Sequence, residues 1–405
     1  RPLGLSFILA VVHWAWRCHA GAPPIRSFDL SDVRLSPDTY QARAMASNTD
    51  YMMNLDPDRL LYVFRANAGL PTPGVPFHGT WEDPHCELRG HFVGHYLSAL
   101  AYVALSTDDA NATSRLNYLI DELFKVQQAI GQDGYLSAFP DEHFDRVEDL
   151  QGVWAPYYVI HKIMAGLLDA HILCGNKRAL HMVEAMAQYH LRRVDAVVAT
   201  HGQDHWQRVL DNEFGGMNDI MYRMYARTGN KEHLRLARAF DKNNWFEPLS
   251  AGKDVLGGRH ANTHLAQVVG FAERAEATGD EVAATAVKLF FDMVAGSHAY
   301  ATGGSNDKEF WFEPGVLGES VTNHEDAIET HETCTQFNIL KIARSLFRWT
   351  GDIRLADFYE RALLNGIMGV SRLTNDDVAA AGGQHMHAGH AHHVHHAQLR
   401  MQGGE

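Results

Sequence analysis

Four turns in the chain share one chemistry: Cys174-Gly175-Asn176, Thr228-Gly229-Asn230, Thr278-Gly279-Asp280 and Thr350-Gly351-Asp352. A glycine that ends one helix in the left-handed region, followed by an Asn or Asp that caps the next, joins two antiparallel helices by the shortest route. The amphipathic segments Arg178–Val194, His233–Phe240, Val282–Met293 and Leu355–Ile367 follow these turns. Thr107-Asp108-Asp109 reads as a degenerate earlier copy. The four glycines fall 54, 50 and 72 residues apart, a period of one helical hairpin plus a variable loop, and counting back gives about twelve helices in six hairpins.

A hairpin buries only one face alone, so six of them close most simply into a ring. The expectation is an all-α, (α/α)6 toroid over residues 28–370, with strand signals sparse throughout. An open helical solenoid is the alternative, but its period is more regular. The inter-hairpin stretches 77–91, 134–154, 201–218, 248–264 and 303–332 would gather at one end of the ring. They are rich in Trp, His, Asp, Glu and Gly, the makeup of a polar pocket with aromatic platforms. Residues 38–64 read as one or two helices broken near Pro57, where proline interrupts the backbone ladder.

The two ends differ from the body. Leu3 to Trp16 is apolar and leads to Arg17-Cys18-His19-Ala20, the pattern of a secretory signal peptide over residues 1–20. That pattern implies a secreted or endomembrane-lumen protein, and the run is short for a membrane span. If Cys18 leaves with it, Cys86, Cys174 and Cys334 remain, which is no disulfide framework. Residues 371–405 hold seven of the 26 histidines within the last 21 positions and read as a disordered His-rich tail. The net charge of −14 argues against nucleic acid as a partner.

Chemistry concentrates between Trp311 and Trp349. Glu319 stands on a Gly-rich loop near Trp311 and Phe312, apolar neighbours that would raise a carboxyl pKa and suit a general acid. An acidic patch (Glu325, Asp326, Glu329) precedes His331-Glu332-Thr333-Cys334-Thr335-Gln336. Thr333 and Gln336 have capping-box spacing, which places Cys334 in a first turn where the dipole favours a thiolate. Glu332 and Cys334 would point about 200° apart on a regular helix, so they serve one metal only if Glu332 lies before the cap.

Other candidates line the loops. His91 and His95 have i, i+4 spacing, open to a shared metal, a ligand or a structural role, and lack the glutamate of a zincin helix. Trp154, Tyr157 and Tyr158 precede His161, a stacking platform or ordinary core. Glu213-Phe214-Gly215-Gly216-Met217-Asn218 opens a helix with two glycines that admit a ligand or a neighbouring helix. His260 and Asn262 begin a helix facing the same cavity.

Several blocks in order resemble glycoside hydrolase family 127 and its relative family 146, the β-L-arabinofuranosidases. They are Leu55-Asp56-Pro57-Asp58-Arg59-Leu60-Leu61, Gly90 through Leu100, His161 through Asp169, Glu213 through Asn218 and His260-Ala261-Asn262-Thr263. Gly318-Glu319-Ser320, Glu332-Thr333-Cys334 and Phe347 through Asn365 continue the resemblance, which covers about Phe28 to Ile367. It implies an (α/α)6 barrel followed by β-sandwich domains, and a retaining reaction with a zinc-bound cysteine as nucleophile. Residue by residue, Glu319 matches the general acid/base, and Glu332 and Cys334 match two zinc ligands. His91, His95, Trp154, His161, Glu213, Asn218, His260 and Asn262 are the expected carbohydrate contacts. The family's adjacent Cys-Cys pair lies downstream, and no cysteine follows Cys334 in this chain. The expectation is therefore an incomplete Zn2+ site and little or no retaining activity. A carbohydrate-binding pseudoenzyme and a helical scaffold are the rival readings.

Overall fold

The computed structural model describes residues 24–131, 133–322 and 332–369. The expected signal peptide with Cys18, the patch Glu325, Asp326 and Glu329, His331 and the His-rich tail lie outside the described residues. Twelve helices pair into six hairpins: α1 (Tyr40–Asn54) with α2 (Pro57–Asn67), α3 (His91–Thr107) with α4 (Ala110–Ile130), and α5 (Pro156–Cys174) with α6 (Lys177–His201). They continue with α7 (Met217–Thr228) and α8 (Lys231–Ala239), α9 (Ala261–Thr278) and α10 (Glu281–Met293), and α11 (Thr333–Thr350) and α12 (Ile353–Leu363). Among the described residues there is no strand, only isolated bridges from Phe310 to His260 and to Asp307. The fold is the all-α toroid that the turns predict.

The turns form as their chemistry requires. Gly175, Gly229, Gly279 and Gly351 take φ of 68°, 69°, 71° and 69°, a region where a Cβ would be strained. Asn176, Asn230, Asp280 and Asp352 then accept the first free amides of the outgoing helix. In the degenerate copy Asp108 takes the left-handed position at φ 56°, and Asp109 caps α4 through the amides of Asn111 and Ala112. In the first hairpin Asp56 caps α2 and Pro57 occupies its first turn, where no amide is lost.

Each tight turn sits at the C-terminus of an odd-numbered helix, so all odd helices run the same way. They form the inner wall, with α3 against α5, α7 against α9 and α9 against α11. The even helices pack outside them. Of the inner helices α3 buries nine residues and α5 thirteen, whereas α1 at the start of the ring buries only Met52. The apolar core runs from Met52 to Phe240 through the first four hairpins and from Trp245 to Ala362 through the last two. Where ends meet, Tyr40 Oη donates to Met368 O at 2.9 Å, Ile25 N donates to Arg348 O at 3.2 Å and Arg344 donates to Ser27 Oγ at 2.7 Å.

All long connections therefore reach one rim, at the inner-helix N-termini. Short helices Glu142–Glu148, Gln203–Val209, Asn243–Ser250 and Glu319–Thr322 lie within them. No helix among the described residues is long and apolar enough to cross a membrane.

Candidate functional site

The rim is built on buried carboxylates that tie loops to helix starts. Glu82, 3% exposed, accepts the amides of Gly90 at 2.6 Å and Phe92 at 3.0 Å, where α3 begins with unpaired donors. His91 Nδ1 lies 3.1 Å from Glu82 Oε1 and 2.9 Å from Leu88 O. Both neighbours accept, so Nδ1 carries a proton. The His91 ring is 5.3 Å from Trp81, 6.5 Å from His95 and 6.3 Å from Tyr158. Glu87 accepts the Trp154 amide at 2.7 Å and Arg146 at 2.8 Å. Burial opposes its charge, but these two donors hold its carboxyl below the ordinary range.

The expected aromatic platform divides. Tyr157 belongs to the core, donating to Glu148 at 2.6 Å and packing edge-on to Phe144, Trp206 and Phe240. Trp154 and Tyr158 stay half-buried. Burial, followed by the Glu213 and Cys334 charges, raises the Tyr158 hydroxyl, which hydrogen-bonds Asn262. Asn262 Oδ1 in turn accepts from Asn338 at 3.0 Å. This chain links α5, α9 and α11 across one lumen.

His161 donates Nδ1–H to Tyr158 O at 2.6 Å. Its ring is covered by Gly215, where a Cβ would stand 2.2 Å from Cε1, at a φ of +57°. The two glycines thus admit a neighbouring helix's histidine. Gly215→Ala is expected to cost about 2 kcal/mol and to displace His161, visible as a lowered urea midpoint and a shifted His161 ring resonance. An unshifted resonance would contradict this packing.

Burial first, then the Lys162 charge, holds His95 and His161 well below the ordinary histidine pKa. Both are neutral at pH 7; His95 offers a donor and an acceptor to a sugar hydroxyl, whereas His161, buried and with its Nδ1–H on Tyr158 O, keeps only Nε2 as an acceptor. His95 and Cys334 expose surface to solvent while lying deep among protein atoms, because a concave lumen reaches them. His260 caps α9 through the Thr263 amide at 3.3 Å, with Nε2 3.7 Å from Glu309 Oε2. Asn218 faces away. It is fully buried against Gly270, and its amide donates to Gln267 O at 3.1 Å and Asp241 Oδ1 at 3.3 Å. With no accessible surface, it holds α7 to α9 behind the wall.

At α11 the expected capping box is absent. Glu332 occupies the N-cap position with φ −53° and ψ 133° and no side-chain cap bond, and Thr333 is already helical. Thr335 Oγ1 donates to Glu332 O at 2.8 Å instead, while Gln336 is buried against Gly366. Glu332 therefore lies just before the helix, the condition for sharing an ion with Cys334. Asn306 Nδ2 donates to Glu332 Oε2 at 2.8 Å, and Cys334 Sγ is 3.9 Å from that oxygen. Burial and the Glu332 charge push the Cys334 thiol up to about 12, outweighing the helix dipole from which the sequence predicts a thiolate.

A separation of 3.9 Å is close to what two donors around one zinc require. No group of three or more His, Cys, Asp or Glu gathers among the described residues, so they do not make a complete zinc site. His91 and His95 form no such group either. Glu319 opens its short helix at the exposed rim, its amide bonded to Val316 O at 3.0 Å. Trp311 is instead core, stacked 6.5 Å from Trp245, so the expected apolar enclosure of Glu319 is not formed.

The sequence gives no role to Glu82 or Lys162, which stand beside residues that it does single out, and no sign of Asn306 or Asn338. The signal for Lys162 was its place one turn after Tyr158 on the same face, with its amine 4.6 Å from that ring's centroid.

The family model of the β-L-arabinofuranosidase GH127 catalytic domain matches residues 32–392, past the expected boundary at Ser371. No curated protein matches. Among solved structures, a GH127 β-arabinofuranosidase is similar with a TM-score of 0.59 at 16% identity, over 85% of this chain and 55% of that one. A GH127 β-L-arabinofuranosidase from Geobacillus Stearothermophilus T6 is similar with a TM-score of 0.54 at 19% identity, over 84% and 54%. The chain thus spans little more than half the length of these solved relatives, and at such identity the likeness concerns the fold. The family model covers most of the 405 residues, and with it the conclusion is plain: this chain belongs to glycoside hydrolase family 127.

Proposed function

We propose that the lumen takes a β-L-arabinofuranoside-like glycan and that the protein hydrolyses it. The substrate class follows the names of the similar solved enzymes. The observation that carries the reading is the single lumen on which neutral His95 and His161, the Tyr158–Asn262–Asn338 chain and Cys334 converge. Such a wall offers hydrogen bonds of either sense to sugar hydroxyls without a fixed charge, and Tyr158 and Trp154 add apolar faces.

Glu319 is assigned the proton donated to the departing glycosidic oxygen. Its exposed place at the rim suits a residue that must exchange protons with water between turnovers. Glu332 and Cys334 are proposed as two zinc donors, and zinc analysis of the purified chain tests this. No step of the reaction is assigned to that ion. The expectation of lost activity has no support in the fold or the family match.

Glu319→Gln is expected to lower release of 4-nitrophenol from 4-nitrophenyl β-L-arabinofuranoside, though an activated leaving group mutes the loss. With a methyl β-L-arabinofuranoside the loss should reach roughly 10²–10⁴-fold. Equal turnover by wild type and Glu319→Gln on the methyl glycoside would remove the acid assignment. Binding without turnover would move the protein to the carbohydrate-binding reading.

A further inference from the structure

Polar loop residues ordinarily stay in water, because a buried amide or hydroxyl without a partner is unfavourable. Residues 303–307 depart from this. On a connection between helices, Ser305, Asn306 and Asp307 are 1%, 0% and 5% exposed. The loop is held on both sides of Asn306. Before it, Gly303 N donates to Tyr300 O at 2.9 Å and Tyr300 N to Gly304 O at 2.7 Å. After it, Asp307 and Phe310 exchange two N–H···O bonds of 3.0 Å. Trp311, which is core, donates Nε1–H to Ser305 Oγ at 3.3 Å. Gly303, at φ +98°, lies so close to α12 that a Cβ would stand 2.9 Å from Ala362 Cα.

This framework fixes one amide. Asn306 Oδ1 accepts from Thr335 Oγ1 at 2.8 Å, and Asn306 Nδ2 donates to Glu332 Oε2 at 2.8 Å. An ionised carboxylate only accepts, so the NH2 group must face Glu332 and the carbonyl oxygen must face the hydroxyl. Thr335 is itself fully buried in the first turn of α11. Glu332 makes no cap bond to its own helix, so the direction of its carboxylate is set from outside α11. The oxygen that Asn306 meets is the one 3.9 Å from Cys334 Sγ.

We propose that Asn306, oriented by Thr335, is a positioning residue that holds the Glu332 carboxylate beside Cys334 for a shared zinc ion. Asn306 is not a ligand; it acts through Glu332. A carboxylate already fixed by a hydrogen bond loses less freedom when it binds a metal. The proposal rests on the reading of Glu332 and Cys334 as zinc donors and adds what aims one of them.

Zinc affinity of the whole chain, measured by competition with a chromophoric chelator, tests it. Asn306→Ala should weaken binding roughly tenfold to hundredfold. Thr335→Val, which keeps the side-chain shape and removes the hydroxyl, should weaken it too, and Thr335→Ser should restore it. Both losses pass through one amide. The double variant should therefore bind no more than about twofold worse than Asn306→Ala alone. Urea midpoints of the metal-free proteins show which variants are folded, and Thr335→Val carries the test if Asn306→Ala is not. Wild-type affinity in either folded variant, or losses that multiply in the double variant, overturns the positioning role alone. No zinc bound by the wild type, or binding unchanged in both Glu332→Gln and Cys334→Ser, removes the zinc reading and the proposal with it.

Discussion

A Gly94→Ala substitution is expected to destabilise the protein by about 3 kcal/mol, read as a lower urea midpoint at unchanged slope. In an ordinary helix interior the same change would stabilise by up to about 1 kcal/mol, so even the sign is informative. A Cβ at Gly94 would stand 2.1 Å from the carbonyl carbon and oxygen of Lys162 and 2.5 Å from Ile163 N. On the facing helix, a Cβ at Gly166 would stand 2.5 Å from Gly94 O and 2.7 Å from Leu97 Cβ. The obstacles at Gly94 are backbone atoms of α5, which no rotamer change can move. The helices would have to separate, carrying His95 and His161 apart. A neutral or stabilising Gly94→Ala would mean that α3 and α5 do not cross this closely.

The second large effect concerns acid. His190 is fully buried, 5.0 Å from Phe144, 5.1 Å from Tyr189 and 5.7 Å from Tyr157, with neither ring nitrogen hydrogen-bonded. Burial and the Arg193 charge lower its pKa from the ordinary 6.5 to about 3. The folded state keeps the ring neutral while the unfolded chain takes up a proton below pH 6.5. Stability is therefore full above pH 6.5 and falls as the pH drops from there toward 3, by up to about 1.4 kcal/mol per pH unit. His264, also lowered to about 3 by burial, adds in the same direction. His190→Phe should stabilise by about 1 kcal/mol at pH 7.5, since two unsatisfied nitrogens leave the core. Its advantage should widen by about 2 kcal/mol at pH 5. His190→Leu controls for the volume of the new ring. Urea unfolding at both pH values decides it, and parallel pH dependence in wild type and both variants would place His190 in water.

Much of the barrel was legible because turn chemistry is local. Gly175, Gly229, Gly279 and Gly351 with the Asn or Asp after each specify a left-handed residue and a cap whatever surrounds them. Even Asp108 could be read as the substitute for a glycine in the same place. Matters decided by neighbours distant in sequence were not legible. Tyr157 and Tyr158 are adjacent, yet one is core and the other faces the lumen, because α5 is buried on nearly every side and its apolar pattern marks no face. Gly215 read as room for a ligand or for a neighbouring helix, and His161 of α5 decides for the helix. Asn218 looked like a contact and is a strut, a distinction set by Gly270 on another helix. The thiolate expected at Cys334 ignored Glu332, whose carboxylate lies 3.9 Å from the sulfur once the N-cap is fixed.

The most direct measurement is release of L-arabinose from methyl β-L-arabinofuranoside by the whole chain, followed by ¹H NMR from the first minutes. The account predicts release, and saturation-transfer signals from the sugar that weaken in a His161→Ala variant. A sugar that is neither hydrolysed nor bound would contradict the assignment of the lumen as a carbohydrate site.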